Sequence, residues 1–379
     1  MLLYLSPIIA VCVFLIAIRP LAISKWWKAG IFVILCCVAS KYFIIRLFGG
    51  PAFFAPDLPR WIILFSAWIY AVLLGWFALL LFSMILYGGF RLGLKLKHKE
   101  YPAEWKKYWI RLNLGFLGLS LFCTTLGIYW GTQVPPVRER TIYLKDLPES
   151  AEGMKIVLLA DLHVDYSSDP EFIREVVKRT NGAKPDLIVI VGDFVDGTTE
   201  RCGGKVALLN QLNAPLGVYG VPGNHEYYSG YDQWMKFLQE EAKIHMLPNR
   251  SVKLSNGVYL SGTTDQAARI RKMELPSPEK AVHPEMKPED CGILLAHNPK
   301  LALKAKDFYD LQFSGHTHGG MILGLDLLVK QMNNGFVSGL YQVDDMQLYL
   351  TNGTGIWSGF PIRFGRPSEI ALITLRKKK

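Results

Sequence analysis

Asp186-Leu187-Ile188-Val189-Ile190-Val191, closed by Gly192-Asp193, is the stretch on which the fold turns. Its aliphatic run has no polar alternation, so it reads as a short strand buried on both faces. The same pattern recurs on either side. Lys155-Ile156-Val157-Leu158-Leu159-Ala160 ends at Asp161, and Gly217-Val218-Tyr219-Gly220-Val221 ends at Gly223-Asn224-His225-Glu226. Residues 292–296 end at His297, and Leu311-Gln312-Phe313 leads into residues 314–320. Asp169-Pro170 supplies a cap and a first-turn proline for a helix to about residue 180, and residues 231–243 are helical in pattern. Residues 253–262 alternate and turn at Asn256-Gly257, a hairpin signal. Residues 348–351 and 369–375 supply late strands. Buried strands interleaved with helices predict a layered α/β domain over residues 154–379.

The polar clusters sit at the C-terminal ends of these strands, the edge where sites form in layered α/β folds. They are Asp161-Leu162-His163, Gly192-Asp193, Gly223-Asn224-His225-Glu226, His297-Asn298 and Gly315-His316-Thr317-His318-Gly319, and they hold five of the eight histidines. Carboxylate, imidazole and amide oxygen are ligands for Zn, Mn and Fe. Asp-x-His and His-x-His on a strand end put both side chains on one side, because alternation has period two. Asp-x-His alone is common, and Gly-Asp-x-x-Asp also serves as a loop cap; Gly-Asn-His-Glu is more distinctive, and Gly-His-x-His-Gly after a strand is stronger still. Together they give seven donors, Asp161, His163, Asp193, Asn224, His297, His316 and His318. That exceeds what one tetrahedral ion needs, so two divalent ions are expected.

This ordered set resembles the calcineurin-like metallophosphoesterase superfamily over residues 154–375. It looks most like the bacterial membrane-associated branch, whose closing segment is similar to Thr351-Asn352-Gly353-Thr354-Gly355, Pro361-Ile362-Arg363 and Pro367-Ser368-Glu369-Ile370. The resemblance implies a four-layer αββα sandwich. It implies a first ion held by Asp161, His163 and His318, a second held by Asn224, His297 and His316, and Asp193 bridging both. His225 would contact the phosphate and protonate or stabilise the leaving oxygen, making His225, Asp193 and Asn224 the expected catalytic set. Glu226 stands where aspartate is commoner in that motif. Arg363 is a candidate phosphate contact by chemistry alone. The expected reaction is hydrolysis of a phosphodiester or phosphomonoester by a hydroxide shared between the ions, which lower the pKa of bound water.

Residues 1–136 differ in kind. They carry thirteen basic and three acidic residues, net +10, whereas the 29 basic and 29 acidic residues of 137–379 cancel. A neutral C-terminal domain argues against nucleic-acid binding, which needs concentrated positive charge. Apolar stretches at about 2–18, 29–48, 61–87 and 112–131 predict about four transmembrane helices, followed by a linker over 137–153 from Pro135-Pro136 onward. The first stretch has no basic region ahead of it, so it reads as uncleaved. Arg19, Lys25 and Lys28 mark the first loop, and Arg91, Lys95, Lys97, Lys99, Lys106, Lys107 and Arg111 the third. Positive loops stay cytoplasmic, which predicts a multi-pass protein of the cytoplasmic (inner) membrane with its C-terminal domain outside. If the second stretch does not cross, the domain faces the cytoplasm.

Three readings follow: an extracytoplasmic anchored phosphoesterase acting on a soluble or lipid-linked ester; a cytoplasm-facing pyrophosphatase of sugar-nucleotide lipids such as UDP-diacylglucosamine; and a membrane sensor or transporter with an inactive phosphatase-like domain. Membrane lipids are expected partners. The apolar run Ile322, Leu323, Leu325, Leu327, Leu328 and Val329 is either a core helix or an exposed lip that dips into a bilayer. Cys202 and Cys291 are either a disulfide pair or two buried thiols.

Overall fold

The computed structural model describes residues 2–48, 56–102 and 104–378. The chain forms two compact units, Met1–Tyr129 and Trp130–Lys379. Lys379, the last residue of the basic tail, lies outside the described residues.

The first unit is helical. Leu2–Val13 runs on as a π-helical turn, Phe14–Ile18, and is followed by Lys25–Ala39, Lys41–Phe48, Arg60–Leu96 and Trp105–Thr132. Ala10, Val13, Ala17, Leu35, Ala39, Leu73, Trp76 and Leu80 form its core. Three polar groups inside it find partners in the protein, as an apolar surround favours. Trp76 Nε1 donates to Asn113 O at 2.9 Å, Ser83 Oγ to Asn113 Oδ1 at 2.8 Å and Ser120 Oγ to Val72 O at 2.9 Å. Among the described residues two helices, Arg60–Leu96 and Trp105–Thr132, are long and apolar enough to cross a membrane, and a third if a bent pair counts as one span. That pair corrects the expectation of four. The stretch at 29–48 is broken at Ser40, where Lys25–Ala39 and Lys41–Phe48 meet at 62°. The first apolar helix, Leu2–Val13 continued by Phe14–Ile18, is at the short limit of a span.

The second unit contains twelve strands among the described residues: β1 (Val137–Leu144), β2 (Lys155–Leu159), β3 (Leu187–Val191), β4 (Val218–Val221), β5 (His245–Met246), β6 (Arg250–Lys253), β7 (Tyr259–Gly262), β8 (Gly292–Leu295), β9 (Leu311–Ser314), β10 (Gly339–Val343), β11 (Met346–Leu350) and β12 (Ile370–Lys377). They form two mixed six-stranded sheets, ordered β1-β12-β2-β3-β4-β5 and β10-β11-β9-β8-β7-β6. β2, β3 and β4 are parallel neighbours in the first sheet, and β8 and β9 in the second.

The aliphatic runs serve two cores at once. In β3, Leu187, Val189 and Val191 enter the core between the sheets, while Ile188 and Ile190 face the core under the helices. β2 divides the same way, with Ile156 and Leu158 against Val157 and Leu159. The helix Pro170–Gly182 covers that outer face with Ile173, Val176 and Val177, one stripe at helical spacing. Asp169 Oδ1 caps it by accepting from Glu171 N at 2.9 Å. Leu294, Leu348 and Leu350 face a third core on the outer side of the second sheet.

The segment at 137–153, expected to be a linker, contains β1. It pairs in parallel with β12 over eight residues, Val137↔Ile370 to Leu144↔Lys377. Its Arg138-Glu139-Arg140 run is an edge strand's charged margin, while Ile142 and Leu144 are buried. Cys202 and Cys291 are both free and buried, in different cores. Burial pushes the Cys202 thiol up to about 12.

Candidate metal centre

Each polar cluster begins where a strand of the parallel group ends: Asp161 after β2, Asp193 after β3, Asn224 and His225 after β4, His297 after β8, His316 and His318 after β9. Five residues of these clusters lie in the left-handed backbone region, at φ of 53° for Asp161, 47° for His163, 53° for Asp193, 75° for His316 and 51° for His318. That conformation costs an L-residue about 1–2 kcal/mol, and its concentration here marks a site where the surrounding fold enforces geometry. Gly192, at φ 84°, has no room for a side chain. A Cβ there would lie 2.6 Å from Gly223 N and 2.7 Å from His297 Nδ1.

The turns bring all seven sequence-predicted donors together. Asp161, His163 and His318 form one group, His163, Asp193 and His225 a second, and Asp193, His297 and His316 a third. Within each group the donor atoms lie within 4.8 Å of one another. Asn224 Oδ1 completes the third, 3.2 Å from His297 Nε2 and 3.0 Å from His316 Nδ1. The peptide N–H of His225 donates to Asp193 Oδ1 at 2.9 Å, and Asp193 Oδ2 lies 3.1 Å from His297 Nε2 and 3.7 Å from His163 Nε2. The N–H of His316 donates to Asp161 Oδ1 at 3.0 Å. Asp161, His163, Asp193, His297 and His318 are buried, whereas Asn224, His225 and His316 are part-exposed.

Several partners orient the rings. His297 Nδ1 donates to Val191 O at 2.8 Å, which turns the Nε2 lone pair into the cluster. Asp196, fully buried, accepts from His163 Nδ1 at 3.0 Å on one oxygen and from His225 Nδ1 on the other. Burial raises Asp196, but the two imidazoles outweigh it and keep the carboxylate ionised. Sequence reasoning assigned Asp196 no role; its signal was the second aspartate of Gly-Asp-x-x-Asp, which also suits a loop cap. Glu226 is buried beneath the same turn. It accepts from the N–H groups of Asp193 at 3.0 Å, Phe194 at 2.8 Å and Gly223 at 2.6 Å. Burial, then Asp193, pushes it up to about 7. The longer glutamate therefore acts on the backbone that carries Asp193.

Arg363, expected as a phosphate contact, is 1% exposed and turned inward. It donates to His318 O at 2.5 Å and Gly355 O at 3.0 Å, and Nη2 lies 3.1 Å from His318 Nδ1. A guanidinium only donates, so His318 Nδ1 accepts and the ring is neutral. Burial and Arg363 both lower the His318 pKa.

The donor set fits two cations. His163 Nε2 and His318 Nε2 face each other at 3.0 Å, as do His316 Nδ1 and His297 Nε2 at 3.3 Å. Buried Asp161 and Asp193 make close ion pairs only with histidines among the described residues. Convergent ring nitrogens around two buried carboxylates are what a pair of dications requires.

Comparison with known proteins agrees with this chemistry. Residues 154–320 match the family model for calcineurin-like phosphoesterases. An uncharacterized metallophosphoesterase of Helicobacter pylori is 38% identical over 273 residues, 69% of this chain and 71% of that protein. A transmembrane protein with metallophosphoesterase domain from Danio rerio is 30% identical over 378 residues, 94% of this chain and 82% of that protein. An uncharacterized metallophosphoesterase of Bacillus subtilis is 31% identical over 246 residues, 63% and 84% respectively. With donor groups grouped around Asp193 and these relatives along most of its length, the chain belongs to the calcineurin-like phosphoesterases, a family of metal-dependent phosphoric ester hydrolases.

Proposed function

We propose that this protein is a membrane-anchored phosphoesterase whose cluster holds two divalent ions, Mn, Zn or Fe, and cleaves a phosphate ester, diester or monoester. One observation carries the reading: Asp193 belongs to two donor groups at once, with His163 and His225 on one side and His297 and His316 on the other. Bound at such a site, two ions supply Lewis acidity to the phosphoryl group and an activated water.

The chain's own residues do the rest. Asp161, His163 and His318 hold one position, Asn224, His297 and His316 the other, and Asp193 both. His225 stands at the part-exposed side, with Nδ1 on Asp196 and Nε2 4.0 Å from Asp193 Oδ2. Burial alone would lower its pKa, but Asp193 and Asp196 raise it to about 10. With its ring fixed by Asp196, His225 would donate through Nε2 to the leaving oxygen. Full-length protein in detergent with added Mn provides the test. Asp193→Asn and His225→Ala should each abolish most turnover of a chromogenic phosphodiester; wild-type activity in either removes the assignment.

The loop charges support a catalytic unit outside the cytoplasmic membrane. The opposite orientation is the second reading: it follows from an odd number of crossings, as when the bent pair counts as one span beside Arg60–Leu96 and Trp105–Thr132. A reporter fused after Lys379 distinguishes them: an alkaline phosphatase fusion is active only outside, a fluorescent protein only inside.

A further inference from the structure

The helix Leu325–Met332 is inverted. Its buried residue is Asp326, at 4% exposure, while Leu327 and Met332 are 66% and 62% exposed and Leu323, just before it, 64%. Five exposed large apolar side chains, Leu323, Leu325, Leu327, Leu328 and Met332, fall within ten residues. Such a cluster marks a contact surface, whereas single exposed leucines are ordinary.

The ridge is held firmly beside the metal cluster. Asp326 pairs with Arg366 and accepts from Gly324 N at 2.6 Å. Gly320, two residues after His318, lies so close that a Cβ there would sit 2.4 Å from Asp326 Cα. An inward aspartate and outward leucines, fixed by an ion pair, are the reverse of a core helix.

Neighbouring residues indicate what covers it. Leu323 N donates to Phe364 O at 2.9 Å, and Phe364 N donates to Met321 O at 2.9 Å. The Phe364 ring packs on Trp130, with centroids 5.8 Å apart. Trp130 lies in the last turn of Trp105–Thr132, a helix long and apolar enough to cross a membrane. Tryptophan at the end of such a helix suits the level of the lipid headgroups. Lys330, exposed on the ridge, adds a cation suited to anionic headgroups.

We propose that Leu323, Leu327, Leu328 and Met332 insert into the headgroup boundary of a lipid bilayer, fixing the metal cluster at its surface. The consequence for substrate, an ester presented from that surface, rests on the phosphoesterase reading above.

The test uses full-length protein with its cysteines replaced, in vesicles of phosphatidylethanolamine and phosphatidylglycerol. A polarity-sensitive NBD label is placed on Leu327→Cys, or on exposed Lys243→Cys as control. The expected result is blue-shifted emission at 327, quenched by nitroxide-labelled lipid and protected from iodide, with the reverse at 243. Quenching of 327 by iodide alone overturns the proposal. Shielding from both quenchers also overturns it, because protein then covers the ridge. Turnover of a water-soluble diester, unchanged by the label, verifies the fold; a labelled protein that loses it is replaced by Leu323→Cys or Met332→Cys. If the unlabelled protein turns over no ester with Mn, Zn or Fe, the phosphoesterase reading fails. Circular dichroism then verifies the fold, and the label still decides the bilayer contact.

Discussion

The two sides of the metal cluster are built differently. Asp161, His163 and His318 are closed off, and each is fixed by a further partner: His316 N–H on Asp161, Asp196 on His163 and Arg363 on His318. Asn224, His225 and His316 are part-exposed, with Tyr228 5.4 Å and Trp357 6.4 Å from the His225 ring. A closed, doubly supported side suits holding an ion. An open side with an oriented imidazole suits meeting a substrate. Asp193 joins them.

The sharpest way to break this comparison is Asp193→Asn. It removes a carboxylate oxygen shared by both sides, so turnover should fall about a thousandfold or more, as when a catalytic unit loses a common member. The measurement is kcat on a chromogenic diester with Mn in excess. His225→Ala should cost about 10²–10⁴-fold in kcat, the range for one general acid, yet keep the metal content of the wild type. Loss of metal in this variant would move His225 from the open side to the holding side. Asp196→Ala touches both sides through two rings. It should weaken metal affinity about 10–100-fold, as other losses of an orienting partner do, and also lower kcat at saturating metal. An effect on kcat alone would confine Asp196 to His225. The smallest effect is expected for Arg363→Met, about tenfold in metal affinity with KM for the diester unchanged, because Arg363 reaches His318 rather than solvent. A raised KM with intact metal binding would restore Arg363 as a substrate contact.

The sequence was most readable where one chemistry repeated. The strands announced themselves because they are apolar on both faces, and their ends because five histidines gathered there. The partners that orient those histidines were harder to find. Asp196 hydrogen-bonds across 33 residues to His163, and Arg363 across 45 to His318, separations that carry no local pattern. Strand β1 was hidden by its charges, which are appropriate to an edge but resemble a linker. The break at Ser40 was hidden because length and hydropathy do not record a bend. The run at 322–329 left two alternatives. Its leucines mark a helix, but only the inward position of Asp326 reveals that the helix is turned outward.

On the two-ion proposal, one carboxylate, Asp193, joins two ion positions. This is tested most directly by counting metal in full-length protein by mass spectrometry after loading with Mn and removal of free ion. Two ions per chain in the wild type and one or none in Asp193→Asn is the predicted result. One ion in the wild type, or two retained without the Asp193 carboxylate, would contradict it.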